Sequence, residues 1–144
     1  MRLTSITAGV LAFILCGSAA QAQDQRADLQ QLYLLWGMMD GSGNACWEIA
    51  NYDPQYMEEL EGWRQRNLAV RDEIDAIRVA AGLTESFVAD VEEQGRSGLS
   101  DIMHKATNGP EACGKWLADT RSGQLDAETY FAESLGRLRE RDGL

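Results

Sequence analysis

The chain has 144 residues, 23 acidic against 13 basic, and a formal net charge of −10 with its one histidine neutral. Such an excess of acid repels nucleic acid and anionic lipid headgroups, so a cationic partner, or a solvated acidic surface serving solubility alone, fits better than either. The length suits one domain around one core, and a second domain is not expected.

Met1 and Arg2 open a minimal positive region, Ile6 to Leu15 form an apolar run, and Ala20-Gln21-Ala22 closes a stretch of small residues. This is the layout of a secretory signal peptide over residues 1–22, cleaved after Ala22. The apolar run is too short, and wrongly flanked, to remain as a membrane span. Cys16 follows Ile14 and Leu15 rather than a small residue, so it reads as part of the removed segment and not as a lipidation site. The mature part, 23–144, is then a periplasmic domain of 122 residues with 12 basic and 23 acidic side chains, net −11. Its two cysteines, Cys46 and Cys113, are expected to pair in an oxidising compartment. In the chain-entropy picture, closing that loop contributes about 4 kcal/mol at most.

Leu29, Leu32, Tyr33, Trp36 and Met39 recur at steps of three and four, the stripe of an amphipathic helix from about Asp24 to Met39. Asp40-Gly41-Ser42-Gly43 reads as a flexible turn, followed by a short helical segment with Cys46, Trp47 and Ile49. Asp53-Pro54 starts the next helix, with Asp as N-cap and Pro in the first helical position. Tyr56, Leu60, Trp63, Asn67, Val70, Ile74, Ile77 and Ala81 then alternate steps of four and three, a heptad seam running to a stop at Gly82. Uninterrupted, that helix would span roughly 40 Å. Asn67 within the seam either sets register or, as expected in a small bundle, bonds a neighbouring group.

Thr84 caps a further helix with apolar positions Phe87, Val88, Val91, Leu99, Ile102, Met103 and Ala106, and Gly95 and Gly98 mark a break or a site of close packing. Asn108-Gly109-Pro110 resets the chain. A helix to about Thr120 places Cys113, Trp116 and Leu117 on one face and ends at Gly123. Asp126 caps a last helix with Leu125 and Tyr130 as a staple and Tyr130, Phe131, Leu135 and Leu138 as its stripe, and residues from Arg137 onward are expected to fray. No stretch alternates like a strand. The fold expected is all-α, a small bundle of about four to five helices with one intrachain disulfide.

Motifs for chemistry are missing from the sequence. Haem attachment needs C-x-x-C-H, zinc needs clustered Cys or His, and helical di-metal sites need Glu-x-x-His, so no cofactor, metal site or catalytic residue is assigned. Asp40 to Asn44 starts like a calcium loop but has Ala45 and Asn51 where Gly and the bidentate Glu belong. His104 stands alone and reads as exposed or bridging two helices. The acidic clusters at 58–61, 72–75 and 92–93 lie beside Arg64, Arg66, Arg71 and Arg78 as a solvated face would. What stands out is aromatic: Trp47, Tyr52, Trp63 and Trp116 neighbour the expected disulfide, as core or as a shallow groove for an apolar ligand or peptide side chain.

These readings lead to a non-enzymatic, protein-binding periplasmic module of accessory, inhibitor or stress-chaperone type, acting on a basic periplasmic partner. A small-molecule carrier with an aromatic groove comes second, and a hydrolase with an unrecognised site third. The heptad seam leaves both a monomer and a homodimer open.

Overall fold

The computed structural model describes residues 8–143, with side chains from 19 onward. Met1, Arg2 and Ile6 of the expected export segment lie outside the described residues, as does the side chain of Cys16. The described residues are all-α, with seven helices: α1 (Ala8–Ile49), α2 (Gln55–Arg66), α3 (Leu68–Ala80), α4 (Glu85–Lys105), α5 (Gly109–Arg121), α6 (Ala127–Tyr130) and α7 (Ala132–Asp142). Among them, no helix is long and apolar enough to cross a membrane.

The first correction to the sequence reading concerns α1, which does not turn at Asp40 to Gly43 but stays helical to Ile49. Local propensity disfavours glycine in a helix by about 1 kcal/mol each. Here the missing side chains let other elements reach the α1 backbone: a Cβ on Gly37 or Gly41 would meet the carbonyl oxygens of Glu92 and Arg96 on α4, and one on Gly43 would meet Leu60. The Asn44 side chain donates to the Asp40 carbonyl one turn back, within the unbroken helix. α1 packs against α2, α3, α4, α5 and α7, so it is the axis around which the bundle closes. Its burial starts at Asp28, and residues 19–27 stand outside the core.

The second correction concerns the expected 40 Å helix, which is two helices broken at Asn67 (φ −98°, ψ 6°). The seam itself persists, with Tyr56, Leu60, Trp63, Asn67, Val70, Ile74 and Ile77 buried and only Ala81 exposed. Asn67 follows the local-bonding alternative. Its Nδ2 donates to the Trp63 carbonyl (2.8 Å) and to Asp126 (3.2 Å), while its Oδ1 accepts from the Ala127 amide at 2.7 Å. Its side chain thus holds the last turn of α2 and the start of α6, while its backbone makes the break before α3. Asn67→Ala is expected to lower stability by about 2 kcal/mol, because the buried Ala127 N–H loses its acceptor. Urea unfolding checks this, and a loss no larger than that of an exposed substitution would count against it.

Several ends follow the sequence. The Thr84 hydroxyl accepts from the Phe87 amide and Asn108 from the Glu111 amide, as N-caps do. Asp53 accepts from the Gln55 amide at 3.0 Å. Gly82 and Gly123, both with φ above 70°, close α3 and α5 through paired amide bonds back to the last turn. α4, in contrast, is unbroken across Gly95 and Gly98. Gly95 is a packing residue, where a Cβ would meet the Leu34 carbonyl, and Gly98 faces open space. Ile102, placed in the apolar stripe by the sequence, is exposed.

The final helix departs furthest from expectation. It is broken at Phe131, and Tyr130 is half-exposed rather than a buried staple. Residues 137–142 stay helical instead of fraying. Leu138 is fully buried, and Arg137 and Arg141 both bond Asp28 of α1, a carboxylate only 4% exposed.

Candidate functional site

Cys46, in the last turns of α1, and Cys113, in α5, form the expected disulfide, with Cα atoms 5.3 Å apart. Both are fully buried. The four aromatic residues expected to gather near it are dispersed into three places.

Trp63 is core. It is completely buried, packs edge-on to Trp36 at 5.2 Å between ring centroids, and donates its indole N–H to the Leu125 carbonyl at 2.8 Å. Trp116, 7% exposed, lies beside Tyr56 with ring centroids 6.2 Å apart. It also lines an apolar cavity of about 160 Å³ with Leu35, Met38, Met39, Ser42, Leu99, Leu125 and Tyr130. Its buried indole N–H has no acceptor among the described residues. Trp47 and Tyr52 form a third group at the end of α1, packed edge to face at 4.8 Å, with Trp47 half-buried against the core and Tyr52 63% exposed. Of the expected groove, then, Trp116 lines a small chamber and Trp47 with Tyr52 forms a surface pair. Leu35, Met38 and Ser42 of the chamber escaped the sequence reading, because Ser42 was assigned to a turn and the other two lie off the α1 stripe.

No known protein family, curated protein or solved structure matches the chain.

The charged residues are more structured than a solvated face. Arg71 lies over the rings of Tyr33 (4.9 Å) and Trp36 (5.4 Å) and bonds Glu92 of α4 and Asp75 of α3. Burial works against its charge, but these two carboxylates more than restore it, and its pKa is raised. Tyr33 donates to Asp75 at 2.6 Å, and burial, reinforced by that bond, pushes the phenol well above its ordinary range. Arg78 is buried too, giving Nη1 to the Leu83 carbonyl and Nη2 to Glu85. Arg139 grips Glu73 with two bonds of 2.8 Å and reaches Glu128, partners that raise its pKa further. Arg71 and Arg78 thus join helices instead of facing water. Among the described residues no three His, Cys, Asp or Glu side chains converge as metal ligands would.

His104 bridges α4 to α1. Nδ1 sits 2.8 Å from the Ser100 carbonyl and Nε2 sits 3.1 Å from Glu48. The Ser100 bond first, and Glu48 second, favour the protonated ring and raise its pKa above 6.5. A raised folded-state pKa contributes stability below the unfolded value, and that contribution is lost as pH rises through the folded value. In an NMR titration the His104 midpoint is expected above 6.5, and Glu48→Gln should return it part of the way, since the Ser100 bond remains. A midpoint that Glu48→Gln does not move would disprove the bridge.

Proposed function

We propose that the mature chain is an exported, non-enzymatic module that binds a basic protein in the periplasm, in the manner of an accessory subunit, inhibitor or chaperone. The observation that carries this reading is the disposition of charge. Every lysine, and every arginine after Arg2 except Arg26, lies within 4.0 Å of a carboxylate. These cations are taken up by the chain's own carboxylates, most of them across helices and Lys105 and Lys115 within one, and Arg26 lies on the Phe87 ring. Asp53, Glu58, Asp72, Asp90, Glu111, Glu140 and Asp142, in contrast, have no basic partner within that distance among the described residues. Surplus acid therefore sets the outward field, which attracts a cationic partner over long range and weakens with salt.

Export is supported by the buried disulfide, a bond that persists in oxidising compartments. It is supported also by the exposure of residues 19–24, on both sides of the expected cut after Ala22. The test is capture from the periplasm of the native host with the mature protein as bait. The expected partner is basic, held at low ionic strength and released by salt. Recovery of nothing above background, or of a partner indifferent to salt, would overturn the reading.

A second reading, a carrier of small apolar molecules, rests on the chamber beside Trp116. Its volume of about 160 Å³ is close to that of engineered apolar cavities of about 150 Å³ that admit benzene. A non-covalent adduct seen by native mass spectrometry, absent from a Leu99→Trp variant that fills the chamber, would favour the carrier.

A further inference from the structure

The end of α1 carries more backbone strain than a helix stop requires. The Asn51 amide bonds the Glu48 carbonyl and the Tyr52 amide bonds the Trp47 carbonyl, the paired closure that needs one left-handed residue, and Asn51 at φ 54° supplies it. Tyr52 is also left-handed, at φ 65°, a conformation that bulky side chains rarely adopt. α3 and α5 close through the same bonds with a single glycine each and no second left-handed residue. What the added strain achieves is visible in the side chain. The Tyr52 ring stands 63% exposed, braced on Trp47, which is half-buried next to the disulfide residue Cys46.

We propose that Tyr52, braced by Trp47, is the residue on which an arginine side chain of the basic partner docks. This inference rests on the basic-partner reading above. The molecule already uses such an arrangement internally: Arg71 lies over Tyr33 while bonding Asp75, the same carboxylate that accepts from the Tyr33 hydroxyl. Tyr52 likewise has acids beside it in sequence, and among the described residues no arginine or lysine lies on its ring. Asp53 follows directly and accepts only from Gln55, and Glu48, in the last turn of α1, is met by His104 alone. A planar guanidinium satisfies both needs, stacking on the ring and presenting N–H groups to carboxylate, which a compact lysine ammonium does less well.

The test compares hexa-arginine and hexa-lysine peptides binding to the mature protein at low ionic strength, by fluorescence anisotropy. The variants are Tyr52→Gly, which suits the left-handed backbone, and Tyr52→Leu, which keeps an apolar group but no π face. Both variants are expected to weaken hexa-arginine about fivefold and hexa-lysine less than about twofold, the difference being the loss of one exposed cation–π contact. Unchanged hexa-arginine affinity in both variants, with wild-type binding intact, would overturn the role of Tyr52 and leave the basic-partner reading standing. Failure of the wild-type protein to bind either peptide would remove both.

Discussion

Gly41→Ala is expected to lower stability by roughly 3 kcal/mol, at the upper end of what overpacking a core costs. A Cβ at position 41 would stand 2.2 Å from the Arg96 carbonyl oxygen, and one at Gly37 would stand 1.9 Å from that of Glu92. From the other side, a Cβ at Gly95 would approach the Leu34 carbonyl to 2.5 Å. The obstructing atoms are backbone, so no rotamer change relieves the overlap, and α1 and α4 must separate along their shared length. Gly98, on the same α4 helix with nothing within 4 Å, is the internal control. There alanine is expected to stabilise by up to about 1 kcal/mol, through helix propensity and a less flexible unfolded chain. Urea unfolding of both variants reads the contrast directly. Shifts of the same sign would mean that α1 and α4 are not in backbone contact.

Removing the Cys46–Cys113 bond is expected to lower stability by about 4 kcal/mol, from the entropy of a loop whose ends are 67 positions apart. That is a large part of the 5–15 kcal/mol typical of a whole domain. Since both sulfurs are fully buried, a reductant should act only through unfolding. The native protein is expected to keep its disulfide in dithiothreitol and to lose it once urea is added, gaining two hydrogens by mass. A Cys46→Ser, Cys113→Ser double variant gives the equilibrium value without redox chemistry, and a midpoint equal to wild type would rule out the staple as a stabilising element.

Much of this fold was readable because its determinants are local. The seam from Tyr56 to Ile77, the cap at Thr84 and the stops at Gly82 and Gly123 each depend on residues within a turn or two. The misreadings have the opposite character. Gly41 and Gly43 look like breakers until α4 and α2 are placed against them, and nothing near Asn67 announces that its amide will bond Ala127, sixty residues on. The pairing of Asp28 with Arg137 joins residues 109 apart, so the fraying expected for the last helix had no local signal against it. The candidate site suffers similarly. Composition places four aromatic residues near a disulfide, but only packing separates Trp63, wholly interior, from Tyr52, whose exposure depends on a left-handed backbone angle that residue type alone would not suggest.

The Asp28 latch bears on the order in which the molecule can be completed. Its carboxylate belongs to the first helix and is sealed from water, while both guanidinium groups that neutralise it arrive with the last. A buried charge without its counterion is strongly disfavoured. Until α7 docks, the Asp28 charge has no counterion, so the closing of α1 at this point is coupled to a helix more than a hundred residues away.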